Sequence, residues 1–362
     1  MTIAFLTIAV VAVLAFANGA NDVSKGIATL AGSGRATYRH ALAWGTLWTA
    51  AGAGASFVIA FGLVTTFTTA MVTADALALP AFPLAVAAGA SAWVLFASRA
   101  GLPVSTTHAL AGAIVGVALV SGGVGAVRWP LLLAAVAAPL ALSPLLSAAL
   151  GFMALRLAGR TASACVCVDD DVMASAVQAD GTMTGVAGSR IVVEAECAPA
   201  PGRQRLVVGP LVHWGAAAAL SFARGVNDNA KIAALATLAV GSIGTDAVWA
   251  FAVTALAMTA GSYVAGLRVS RTLGERVVRM DGDTGLASVV VASGLVLAAS
   301  FFTLPVSTTH VSTGAIVGAG LRQGGGAVQW GMVRSLVSAW IITLPVAAIL
   351  GAASAWIAGA IG

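Results

Sequence analysis

Two acid–base pairs sit inside stretches that are otherwise apolar. Asp22 and Lys25 belong to "FANGANDVSKG", and Asp228 and Lys231 to "FARGVNDNAKI". The chain has no other lysine, and each follows its Asp by three residues, which puts both side chains on one helix face. A lone charge at mid-bilayer costs about 2.5–3.5 kcal/mol even on the lenient insertion scale, so four unpaired charges would cost roughly 10 kcal/mol. Pairing lowers that cost, but Leu at each place would remove it, so retention in both stretches points to function rather than helix glue. Arg224 adds a fifth charge, with Asn18 at the matching place in the first stretch; Asp22, Lys25, Arg224, Asp228 and Lys231 sum to +1, which suits an anion. Asn21, Asp22, Asn227 and Asp228 offer hard oxygens that suit sodium or a proton. Gly19 and Gly225, just before, are expected to break their helices and free carbonyls for a cation and N–H groups for an anion.

A second duplicated motif supplies donors. "LPVSTTH" at Leu102–His108 recurs letter for letter at Leu304–His310. Pro103 and Pro305 fit a helix start and the following Ser-Thr-Thr fits an N-cap and first turn. A helix start is a ready anion site. Ser105, Thr106, Thr107, Ser307, Thr308 and Thr309 add hydroxyls at the same place, so two such starts could grip one tetrahedral oxyanion from opposite sides. Hydroxyls bonded back to helix carbonyls would be the bland reading of a single copy; two identical heptapeptides favour binding. His108 and His310 end the motifs and serve equally well as a proton relay or as devices that orient helices.

The chain that carries these motifs is 59% hydrophobic and only 9% charged, with a mean hydropathy of +0.99. Soluble domains carry about 25% charged residues, so the composition is that of a polytopic membrane protein. The net charge of +5 comes from arginines scattered between apolar runs, a topology signal and not a nucleic-acid footprint. The first apolar run lacks a basic leader, so no cleavable signal peptide is expected.

The repeats define the organisation. Besides the two motifs, "GAIVG" at Gly112–Gly116 recurs at Gly314–Gly318 in the same order. The fold expected is all-α: transmembrane repeats over 1–158 and 207–362, each with about five segments, some of them broken or re-entrant. An odd number of crossings inverts the second repeat. With the N-terminus outside, eleven arginines, among them Arg35, Arg39, Arg99, Arg268, Arg271, Arg276, Arg279, Arg322 and Arg334, fall inside and only Arg128 outside. Inverted repeats place a substrate site at their interface near mid-membrane. The polar stretch 159–206 is expected to be a small cytoplasmic β-rich linker, with both termini outside. Its Cys165, Cys167 and Cys197 make a weak metal pattern without any His.

At "GANDVSKG" and "PVSTTH" the chain resembles the inorganic phosphate transporter (PiT) family, whose members carry a "GANDVANA"-type signature and an "STTH"-type segment in each half. The likeness covers nearly the whole membrane portion and not the linker. It implies symport of inorganic phosphate with sodium or protons across the plasma membrane, by a protein of inverted repeats that often dimerises. By matching position it assigns Asn21, Asp22, Asn227 and Asp228 to the cation and the two Ser-Thr-Thr runs to phosphate; Lys25, Lys231 and Arg224 are added as anion ligands by the charge argument above, not by the resemblance. No cofactor beyond bound sodium is implied. The sequence departs where the signature has Asn and this chain has Lys25 and Lys231. A tethered ammonium there could take sodium's place, making coupling proton-driven or weakly sodium-dependent, and it keeps sulfate or another oxyanion as an alternative substrate. A channel and a membrane hydrolase built on Ser105 and His108 are the competing classes. Paired buried charges speak against the first, and the identical duplication with no nucleophile elbow against the second.

Overall fold

The computed structural model describes residues 1–158, 165–177, 183–194, 203–242 and 246–361. Among these, helix α1 (Thr2–Gly32) runs unbroken for 31 residues, about 46 Å at 1.5 Å per residue. Helix α2 (Tyr38–Ile59) starts at Thr37, whose hydroxyl accepts the His40 N–H. The short helices α3 (Gly62–Phe67) and α4 (Ala74–Leu77) lead to α5 (Phe82–Ala100), and an extended stretch separates α5 from α6 (Thr106–Gly122). A four-residue α7 (Trp129–Leu132), a π-turn at Leu133–Ala137 and α8 (Ala138–Ala158) close this half. Three strands follow, β1 (Cys165–Val177), β2 (Met183–Glu194) and β3 (Arg203–Val207), antiparallel in the order β2-β1-β3. Cys197 lies outside the described residues, and so do the side chains of Cys165 and Cys167 on β1.

The second membrane half comprises α9 (Val208–Ser242), α10 (Ala247–Ala265), α11 (Leu267–Glu275), α12 (Gly282–Phe301), α13 (Thr308–Gln323) and α14 (Trp330–Ile361). Seven helices among the described residues are long and apolar enough to cross a membrane. Helix α9 is long enough as well, but carries Arg224, Asp228 and Lys231 within eight residues.

Helices α1 and α9 lie together at the centre and run in opposite directions. Thr29, late in α1, meets His213, early in α9, at 3.2 Å, while Met1–Ala4 share a cavity wall with Leu238 and Ala239. The halves interlock: α2 packs on α9 and α10 on α1, while α8 covers α13 and α14 covers α6. Arg35, Arg268, Arg276 and Arg279 gather at the bundle end that holds the loop after α1. There Val278 bridges Val328, and Arg268 donates to the Arg99 carbonyl. Arg128 sits at the other end, beside the Val72–Val127 bridge.

Gly19 and Gly225 do not break α1 and α9. A Cβ at Gly19 would sit on the Met258 carbonyl oxygen, and one at Gly225 on that of Thr49. These glycines let neighbouring backbones touch, the small-residue packing of lipid-embedded helices. The interruptions lie at 102–105 and 304–307 instead. Pro103 and Pro305 are not first-turn residues but stand two places before the caps, where a missing N–H costs nothing because the chain is extended. Helix α5 ends on Gly101 in the left-handed region, φ 73°; the corresponding turn after α12 forces the β-branched Thr303 to φ 55°.

Candidate functional site

Each interruption restarts as a helix through the same device. Ser105 Oγ accepts the His108 N–H and Ser307 Oγ accepts the His310 N–H, both at 3.2 Å. The two starts meet head to head. Thr107 Oγ1 donates to the Val306 carbonyl at 3.2 Å, and Thr309 Oγ1 donates to the Val104 carbonyl at 2.8 Å. Six hydroxyl residues, Ser105, Thr106, Thr107, Ser307, Thr308 and Thr309, are thereby buried at the contact between two helical hairpins, the first α5–α6 and the second α12–α13, none exposed beyond 3%.

The charged residues of α1 and α9 border this contact. Thr308 Oγ1 donates to Asp22 Oδ2 at 3.3 Å, and Asn18 Nδ2 reaches Thr106 Oγ1 at 3.0 Å, Asp22 Oδ2 at 3.2 Å and Asp228 Oδ2 at 3.4 Å. Arg224, fully buried, donates to Thr49 Oγ1 at 3.0 Å, Ser262 Oγ at 3.3 Å and Asn18 Oδ1 at 3.4 Å. It is held at mid-helix and does not snorkel toward water.

The two lysines sit in oxygen cages of unlike make. Lys25 Nζ pairs with Asp22 Oδ1 and donates to Asn21 Oδ1 at 3.1 Å and to the Asn21 carbonyl at 3.3 Å. Lys231 Nζ pairs with Asp228 Oδ1 at 2.9 Å, then crosses to Thr107 Oγ1 at 2.8 Å and the Val306 carbonyl at 3.1 Å. Asn227 Oδ1, the counterpart of the oxygen that Lys25 engages, is consequently buried without a hydrogen-bond partner. Carboxylate, amide and carbonyl oxygens are the donors a hard monovalent cation takes. In the first half the Lys25 ammonium already donates to them.

Ser98 and Ser300 hold the two asparagines: Asn21 Nδ2 donates to Ser98 Oγ and Asn227 Nδ2 to Ser300 Oγ, each at 3.1 Å. Asn21 also donates to the Leu102 carbonyl at 2.9 Å and accepts the Val104 N–H at 3.2 Å, tying α1 to the first hairpin. Sequence reasoning missed these serines, although each stands seven residues before its Ser-Thr-Thr serine, a spacing that aligning the two halves exposes. It also missed Thr49 and Ser262, for which the sequence carries no signal.

His108 and His310 touch outside this polar centre, with ring centroids 4.6 Å apart and planes tilted by 45°, and both line an apolar cavity of about 660 Å³. His310 Nδ1 lies 3.1 Å from the Leu140 carbonyl. Ser105 Oγ serves the His108 backbone and not its imidazole, so the geometry of a hydrolase triad is absent here.

Residues 18–351 match the phosphate transporter family. The chain belongs to it. A protein of Mycobacterium leprae named as a low-affinity inorganic phosphate transporter is 29% identical over 99% of this chain and 79% of its own length. A protein of Pyrococcus horikoshii named as a phosphate permease is 26% identical, covering 93% of both chains. The fold matches a solved structure described as the sodium-dependent phosphate transporter, with a TM-score of 0.79, 22% identity and complete coverage of both chains. These relatives are transporters and permeases, not enzymes.

Proposed function

We propose that this member of the family is a secondary transporter that carries inorganic phosphate across the plasma membrane, binding it between the two Ser-Thr-Thr helix starts. The observation that carries the reading is the reciprocal pair of bonds Thr107→Val306 and Thr309→Val104. It puts two helix N-termini and their hydroxyls at one buried point beside Arg224, Lys25 and Lys231. Helix starts and hydroxyls are what a tetrahedral oxyanion requires, and the surplus positive charge offsets it. In the present arrangement the Thr107 and Thr309 hydroxyls bond to the opposite hairpin, so admitting phosphate requires the hairpins to part and exchange those bonds for substrate.

We read the two halves, 1–158 and 207–362, as inverted repeats. The support is the antiparallel course of α1 and α9 and the matched contacts of Gly19 with Met258 and Gly225 with Thr49. The arginine-rich end is cytoplasmic by the positive-inside rule, which puts both termini outside and the β-rich stretch 159–206 in the cytoplasm. The functional unit is a homodimer. Asp22 and Asp228 handle the coupling cation together with Asn21 and Asn227. Because Lys25 fills one oxygen cage, coupling is proton-driven or only weakly sodium-dependent. Sulfate is the alternative substrate, since an ammonium strengthens affinity for any oxyanion.

Labelled phosphate uptake into proteoliposomes tests both points. Saturable accumulation against a gradient, competed by arsenate more than by sulfate, is expected with or without sodium. A strict sodium requirement in the native protein defeats the coupling reading, and sulfate preference defeats the substrate.

A further inference from the structure

Three arginines converge on the tip of the first hairpin. A cavity of about 480 Å³ is walled by Ala100, Gly101, Leu267, Thr272 and the side chains of Arg268, Arg271 and Arg276. Among the described residues no carboxylate lines it. The arginines belong to α11 and the residue after it. The apolar face of this helix, Val269 and Leu273, is buried beneath them, so their heads are directed to one side. Arg268 is anchored: its Nη1 donates to the Arg99 carbonyl at the end of α5, and its Cγ stands 3.2 Å from where a Gly101 Cβ would lie. Arg271 also lies over the Tyr38 ring, 5.9 Å from its centroid, and the Glu275 carboxylate one turn along α11 bonds to the same tyrosine, outside the cavity wall.

The opposite hairpin tip has nothing of the kind. Its Phe301, Phe302 and Leu304 are exposed and apolar, and Thr303 meets Gly62. A basic cup at one tip only is what a one-sided task requires. Cationic loops alone do not explain it, because orientation depends on charge count and not on gathering three guanidinium groups round one backbone turn.

We propose that Arg268, Arg271 and Arg276 form an oxyanion-binding vestibule at the basic end of the transport path, where inorganic phosphate docks before entering or after leaving the buried site. Arg268 then has two partners, the Arg99 carbonyl when the cup is empty and the anion when it is filled. The hairpin tip it releases leads through Leu102 and Val104 to Asn21, which contacts Lys25. Docking of the anion therefore loosens the hairpin that must move to admit it. This rests on the phosphate-transport reading above.

The test compares native protein with Arg271→Gln/Arg276→Gln in membrane vesicles of both orientations, measuring labelled phosphate exchange as a function of phosphate presented to each face. The half-saturating concentration is expected to rise about fivefold at the basic face, with its salt dependence flattened, and to change less than about twofold at the other. Arg271→Lys/Arg276→Lys, which keeps the charge, is expected to recover most of the loss. An unchanged basic face overturns the vestibule while leaving phosphate transport standing, and so does an equal change at both faces. Native protein that exchanges no phosphate overturns both.

Discussion

Arg224 and Asn18 hold the same position in the two halves, yet they are bonded to one another, Nη1 to Oδ1 at 3.4 Å. Equivalent residues can touch only where the two copies meet, so this contact marks the centre of the molecule. The copies differ there in charge, and the difference sets the sign of the site. Two acid–base pairs cancel; Arg224 does not.

Arg224→Gln removes that surplus while keeping donors for Thr49 and Ser262. Hydrogen bonds to a charged group contribute about 1.5–3 kcal/mol, so KM for phosphate is expected to rise by roughly one to two orders of magnitude. Initial-rate uptake at graded phosphate checks it. An unchanged KM places the anion elsewhere.

The lysine cages make opposite demands. Lys25→Asn vacates oxygens that suit sodium, whereas in Lys231→Asn the vacated oxygens come from Asp228, Thr107 and Val306 across the hairpin contact. Uptake by Lys25→Asn is expected to become stimulated by a sodium gradient, about tenfold relative to the native protein. Paired assays with sodium and with choline decide it. Equal rates in both media contradict the tethered-cation account.

Much of this was legible because the chain states its chemistry twice. Duplicated acid–base pairs and Ser-Thr-Thr runs could be located by letter matching, and a buried charge needs a reason wherever it occurs. What failed was reading local conformation from glycine. Gly19 and Gly225 looked like breaks because glycine is a poor helix former, but missing side chains also serve close packing, and only the partner helices α10 and α2 distinguish the two uses. Arg224's partners Thr49 and Ser262 are ordinary helix hydroxyls whose role arises from tertiary approach alone. The resemblance to a family signature told nothing about the unpartnered oxygen of Asn227, since that follows from where Lys231 turns.

Asp22→Asn leaves the Lys25 ammonium buried against an amide, and breaking a buried pair by removing one partner costs about 3–5 kcal/mol. Uptake is expected to vanish, and thermal unfolding in detergent should fall by several degrees. The double variant Asp22→Asn/Lys25→Asn should recover stability without recovering transport. Activity in Asp22→Asn defeats the cation-handling role. Thr107→Val removes the hydroxyl shared by Lys231 and Val306 and is expected mainly to weaken phosphate affinity.

Gly19→Leu and Gly225→Leu test the packing explanation. With a Cβ directed onto a main-chain carbonyl, neither helix pair can close without moving apart, and overpacking costs about 1–3 kcal/mol or more. Both variants are expected to lose the monodisperse elution peak of the folded protein. A substitution at Gly294, where a Cβ meets open space, should not.

The proline in α8 gives His310 a structural task. Pro144 has no N–H, so the carbonyl four residues earlier, that of Leu140, lacks its helical donor and receives within α8 only the Ser143 hydroxyl, at a long 3.4 Å. His310 Nδ1 lies 3.1 Å from that oxygen and can replace the donor only as the Nδ1–H tautomer. Across the molecule Pro345 creates the same deficit in α14, but His108 Nδ1 has no partner. His310→Ala should therefore destabilise the protein by about 1 kcal/mol more than His108→Ala. In a Pro144→Ala background the restored N–H serves Leu140 itself, and the cost of His310→Ala should shrink by about the same amount. Thermal unfolding of the four variants in this cycle measures the coupling. Additive losses would return His310 to a part in proton movement.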